Sequence, residues 1–175
     1  KIGRGPSSSH TIGPERACKR LKELYPNATG YKITLFGSLA KTGKGHGTDV
    51  VITETLKPAA VEIVFDNITQ TAHPNTMRTV AFDGEKILGE NEVRSIGGGD
   101  IVFDNEIAAE KKTVYQYRSF ADISNYCKSR NISLWEYANE NEDGLREYLG
   151  TVWEQMTQAV ERGLHDEGIL PGGLG

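Results

Sequence analysis

Residues 76–95 read Thr-Met-Arg-Thr-Val-Ala-Phe-Asp-Gly-Glu-Lys-Ile-Leu-Gly-Glu-Asn-Glu-Val-Arg-Ser. Asp83-Gly84 between two strand-like runs is a hairpin signal, so Thr76–Phe82 and Glu85–Ser95 are expected as antiparallel neighbours. Upstream, the turn-forming His73-Pro74-Asn75 separates this hairpin from a strand at Val61–Phe65, and Tyr31–Phe36 alternates as another before Gly37 stops it. Downstream, Gly97-Gly98-Gly99 interrupts the meander ahead of a short strand at Ile101–Phe103. Three consecutive glycines pack nothing, and close backbone approach explains them.

The period is helical on both sides of this β region. Ala17, Cys18, Leu21 and Leu24 fall three and four apart, giving an amphipathic helix from Pro14 to Leu24. Gly43–Gly47 reads as a glycine-rich loop, with Thr48 or Asp49 capping a short helix into Glu54. After Ser119, residues Phe120, Ile123 and Cys127 share a face. Leu134–Asn139 makes a second helix, and Leu145–Leu164 a third with Leu149, Val152, Trp153, Met156 and Val160 facing inward. Ser119 and Ser133 suit the N-cap. The expected fold is α+β, a largely antiparallel sheet with helices packed on one face.

A chain of 175 residues and 19.2 kDa suits one compact domain, or one with an appendage. Its net charge of -4, with no long run of either sign, argues against a nucleic-acid surface. No segment approaches the roughly 20 apolar residues of a membrane span. A soluble, cytoplasmic protein is expected. Cys18 and Cys127 are too few and isolated for a disulfide framework or for a metal site built from this chain.

Gly5-Pro6-Ser7-Ser8-Ser9-His10-Thr11 precedes the first helix. Hydroxyls and free N–H groups at a helix N-terminus suit a carboxylate or phosphate, with His10 placed for proton exchange; ordinary capping explains the same pattern. The second segment, Gly37-Ser38-Leu39-Ala40-Lys41-Thr42-Gly43-Lys44-Gly45-His46-Gly47-Thr48-Asp49, departs from a phosphate-binding P-loop, because Gly45 follows Lys44 where Ser or Thr is required. It is either a flexible turn or a place where backbone approaches a ligand. His73-Pro74-Asn75 and the triglycine are each weak signals alone. His165 ends a helix, where a positive charge would favour the dipole, and a structural role is expected of it. A metal site from His10, His46 and His73 lacks the i,i+4 spacing of a helical ligand pair.

Together, Ile2-Gly3-Arg4-Gly5-Pro6-Ser7-Ser8-Ser9-His10-Thr11-Ile12-Gly13-Pro14, the Gly37–Asp49 segment, His73-Pro74-Asn75-Thr76-Met77 and Ser95-Ile96-Gly97-Gly98-Gly99 resemble the iron-sulfur-dependent bacterial L-serine dehydratases. The resemblance spans essentially the whole chain in motif order. It implies a β domain over residues 1–165, with 166–175 beginning a linker to an α domain of the same polypeptide. That α domain would carry the [4Fe-4S] cluster, so this chain holds no metal and uses no pyridoxal phosphate. The implied reaction takes L-serine to pyruvate and ammonia by elimination to aminoacrylate, tautomerisation and hydrolysis. His10 is expected to be the acid/base. Ser8, Ser9 and Thr11 would hold the carboxylate, and Lys44, Gly45, His46, Gly47, Thr48, Asn75, Gly97, Gly98 and Gly99 would complete the pocket. The fold would be similar to the allosteric substrate-binding domain of some phosphoglycerate dehydrogenases. That likeness raises the alternative of a non-catalytic serine-sensing regulatory domain. Without its α domain the chain is expected to be inactive, and to expose an apolar face through which it could form a homodimer.

Overall fold

The computed structural model describes residues 2–5, 7–104, 106–108 and 113–169. Pro6 of the first motif and residues 170–175 of the tail lie outside them. The chain divides into two compact units, the first mainly residues 3–108 and the second mainly 109–167.

The first unit runs α1 (Ile12–Leu24), β1 (Gly30–Phe36), α2 (Gly37–His46), α3 (Thr48–Leu56), β2 (Ala60–Asp66), β3 (Thr76–Asp83), β4 (Lys86–Gly97) and β5 (Asp100–Phe103). The sheet order is β2-β1-β3-β4-β5. Every pairing is antiparallel except β1 with β2, which α2 and α3 join as a crossover. The alternation of β1 sends Tyr31, Ile33 and Leu35 into the core beside Met77, Ala81 and Val93, where Leu21, Leu39, Ile52 and Leu56 of the helices meet them. On alternate positions, register partners make ion pairs instead: Lys32 with Glu62 at 2.9 Å and Arg78 with Glu92 at 3.3 Å. One apolar and one charged face is the pattern of an antiparallel sheet covered on one side.

The Gly43–Gly47 loop expectation is corrected, because the chain is helical from Gly37 to His46. Leu39, Ala40 and Gly43 are buried on one face of α2, and this packing outweighs the helix-weakening glycines. A Cβ at Gly43 would stand 3.3 Å from Thr48 and 3.5 Å from Phe65, so glycine permits that approach. Gly47, at φ 72° and ψ 28°, ends α2 and begins α3, so the cap expected of Thr48 or Asp49 is also corrected.

The second unit carries α4 (Phe120–Arg130), α5 (Leu134–Asn141) and α6 (Leu145–His165). Ser119 caps α4 by accepting from Asp122 N–H at 3.1 Å, and Ser133 forms a reciprocal capping box with Glu136. Tyr137 is buried between the rings of Tyr115 and Tyr126. The inward face expected of α6 is corrected: the helix has no buried residue, and Trp153 and Leu164 are 69% and 77% exposed. The periodic stripe exists, but none of its residues is buried. No helix among the described residues is long and apolar enough to cross a membrane.

Candidate functional site

The serine-histidine-threonine segment folds as a tight turn into α1. His10 and Thr11 N–H both donate to Ser7 O, at 3.1 and 2.9 Å, Gly13 N–H donates to Ser8 O at 2.9 Å, and the Thr11 hydroxyl adds a 2.7 Å bond to Ser7 O. Short hydroxyl side chains favour such local backbone bonds, which explains their clustering before a helix. Thr48, fully buried at the start of α3, donates to His10 O at 2.7 Å. The first two sequence motifs are thereby tied together.

His10 is 7% exposed and has partners at both ring nitrogens. Nε2 lies 3.3 Å from Ser38 O, 3.2 Å from Ser38 Oγ and 3.0 Å from Thr42 Oγ1. A carbonyl only accepts, and Thr42 spends its proton on Ser38 O at 2.9 Å, so Nε2 carries the hydrogen of the neutral ring. Nδ1 is then the acceptor, with Ser9 Oγ at 3.0 Å and Ser7 Oγ at 3.2 Å. The His46 ring tilts against it, centroids 4.6 Å apart and planes 30° from parallel. His46 Nδ1 donates to Thr42 O at 2.9 Å, which leaves Nε2 as the lone-pair nitrogen, without a partner among the described residues. Of the two imidazoles, the half-buried His46 offers the open basic atom.

Burial holds His10 below the ordinary histidine range; the Ser38 carbonyl opposes this and the His46 charge reinforces it. The unfolded chain therefore binds more protons than the folded one just below the ordinary histidine value of about 6.5. The contribution of His10 to stability is complete above that value and is lost as pH falls through it toward the depressed folded value. Urea midpoints are expected to fall between pH 7.5 and 5.5, with a smaller fall in His10→Gln. An equal fall in both proteins would remove His10 as the cause.

The other expected residues divide by place. The half-buried Ser8 hydroxyl has no partner among the described residues, whereas those of Ser9, Thr11 and Thr48 are engaged inside the fold. Lys44 lies over the Phe65 ring at 5.2 Å, and Gly45 faces open space. Asn75 N–H donates to His73 Nδ1 at 3.1 Å, and Asn75 O accepts from Ser95 N–H at 2.9 Å. Asn75 Oδ1 and Ser95 Oγ are buried without partners. Gly97, Gly98 and Gly99 all have positive φ, at 108°, 58° and 76°. A Cβ on Gly99 would sit 2.5 Å from Ile12 Cγ2, so the triglycine turn presses on the start of α1. Arg16 fastens it there through a 3.0 Å bond to Gly99 O.

Four further groups were not singled out in the sequence: Ser7, Ser38, Thr42 and Ser95. Ser38 and Thr42 are four apart and share a helical face, a signal visible only once Gly37–His46 is read as helix.

Among the described residues, no group of three or more His, Cys, Asp or Glu is placed to hold a metal ion. Cys18 is buried, and burial followed by the Glu15 charge pushes its thiol up to about 12. Cys127 is buried in the second unit. These donors do not fit an iron-sulfur cluster.

Residues 1–64 match the family described as serine dehydratase beta chain. The chain is similar over 99% of its length to L-serine dehydratases 1 and 2 of Escherichia coli K12, each at 32% identity. It is 30% identical over the same share to the L-serine dehydratase of Haemophilus influenzae. The alignments cover 50% of each of these proteins, so the chain spans about half the length of the curated relatives it matches. With its serine-histidine turn tied to the Gly37–Thr48 segment, the chain is similar along its length to these L-serine dehydratases and, over residues 1–64, matches the serine dehydratase β-chain family.

Proposed function

We propose that this chain is the β domain of a cytoplasmic L-serine dehydratase, with residues 1–165 as the domain and 166–175 leading toward an α domain. The observation that carries the reading is the His10–His46 pair, in a chain whose relatives are named L-serine dehydratases. The α domain would hold a [4Fe-4S] cluster, for which the described residues of this chain offer no suitable donor set, and pyridoxal phosphate plays no part.

What this chain contributes is proton handling and polar contacts. The Cα proton of serine is a weak acid, so its removal calls for a positioned base near neutral pH. His46 Nε2 is the open lone pair, and Thr42 O holds that ring in the tautomer which exposes it. Proton exchange is thus assigned to His46 in place of His10. His10 becomes its positioning partner: neutral, buried and bridged through Thr42. Ser8, Asn75 and Ser95 supply polar atoms not spent within the fold.

The test is pyruvate formation from L-serine, under anaerobic conditions after cluster reconstitution, by an enzyme joining this chain to an α domain. Pyruvate and ammonia in equal amounts are expected. A cluster-loaded enzyme that binds serine without turnover would replace this reading with the sensing one.

A further inference from the structure

A cavity of about 400 Å³ opens between the first turns of α2, residues 67–71 and Pro74. Small-molecule sites commonly measure roughly 300–1,000 Å³. Among the described residues, no acidic side chain lines it, and Lys41 is the single cation on its wall. Lys41 and the Asn67 and Gln70 side chains have no partner among the described residues. Asp66, the acid next to this loop, is turned away from a ligand role, because its Oδ1 accepts from Ile68 and Thr69 N–H at 2.9 and 2.8 Å.

An unpaired ammonium on a polar wall free of carboxylates selects an anion, and a single cation matches a single negative charge. Amide and hydroxyl donors around it suit the lone pairs of a carboxylate. Ser38 and Thr42 line this cavity and are also the partners of His10 Nε2, so the cavity adjoins the histidine pair.

We propose that this cavity is the carboxylate subsite for a three-carbon hydroxy or amino acid, with Lys41 the residue that selects the charge. The identity of that acid as serine rests on the dehydratase reading. Occupancy is felt at His10 through Ser38 and Thr42, which couples substrate binding to the ring that positions His46.

The experiment titrates the 175-residue chain with L-serine, L-lactate, L-serinamide and inorganic phosphate. It follows amide resonances of residues 38–42 and 67–71 and the ring nitrogens of His10. Serine and lactate are expected to shift both sets saturably, while serinamide and phosphate leave them in place. Lys41→Met is expected to weaken serine binding at least ~10-fold and Lys41→Arg to retain it within ~3-fold, the behaviour of a charge-assisted contact. Lys41 is exposed and unpaired, so both variants keep the fold. Serinamide binding as tightly as serine, unchanged affinity in Lys41→Met, or shifts confined to Ser7–His10 would each overturn the subsite. Pyruvate formation by the joined enzyme with unchanged KM in Lys41→Met would sink the subsite alone. Carboxylate binding here by an enzyme that makes no pyruvate would sink the dehydratase reading alone.

Discussion

His46→Ala, in an enzyme joining this chain to an α domain, is expected to lower kcat for pyruvate formation by ~100-fold or more, the range of a positioned acid/base. His10→Ala is expected to cost a comparable factor for a different reason. Nδ1 and Nε2 of His10 are engaged by Ser9, Ser38 and Thr42, and losing the ring releases the wall against which His46 is stacked at 4.6 Å. Glutamine separates the two roles. Its amide can donate to Ser38 O and Thr42 as Nε2–H does, so His10→Gln recovers at least ~10-fold over His10→Ala. A glutamine cannot take a proton near neutral pH, so His46→Gln stays as slow as His46→Ala. Because the pair acts as a unit, the double alanine variant is expected only ~3-fold below the slower single one. A His46→Ala enzyme within ~3-fold of the parent would remove His46 from the mechanism. An unrescued His10→Gln beside an active His46→Gln would return the proton exchange to His10.

The parts of this site legible in sequence are those encoded by local rules. Asp83-Gly84 announced the β3–β4 hairpin, and the ladder closes there with Asp83 opposite Lys86. Ser119 and Ser133 announced their helices because capping is a bond to a backbone three residues on. The second motif failed as a local reading for a physical reason. Four glycines in Gly37–Gly47 favour a loop by propensity, while burial of Leu39, Ala40 and Gly43 is decided by strands elsewhere in the chain. With that helix unread, the Ser38–Thr42 pairing beneath His10 was unreadable too. The parallel β1–β2 pairing was likewise out of reach, since it depends on how a two-helix crossover lands. On α6 the period of the apolar stripe was legible and its burial was not, because periodicity encodes a face and says nothing of what covers it.

Two glycine substitutions eight positions apart in α2 are expected to move stability in opposite directions. Gly37 stands where β1 becomes α2, at φ 54°, and a Cβ there would lie 2.5 Å from Pro74 O and 3.1 Å from its carbonyl carbon. A left-handed backbone costs an ordinary residue ~1–2 kcal/mol before any clash. Pro74 O cannot retreat cheaply, because it accepts the Ser38 N–H at 2.7 Å. Gly37→Ala is therefore expected to destabilise the chain by ~3 kcal/mol, within the range of severe backbone effects. The same change should loosen Ser38 and with it the Nε2 side of His10. Gly45 lies in the same helix with nothing within 4 Å of a new Cβ and is not among the positive-φ glycines. There, alanine is expected to stabilise by ~0.5–1 kcal/mol through the conformational entropy that glycine loses on folding. Urea unfolding of the two variants reads both signs directly. Gly37→Ala as stable as the parent would show that this junction relaxes freely. The contact between Pro74 and Ser38 could then not be what holds the first turn of α2 beneath His10.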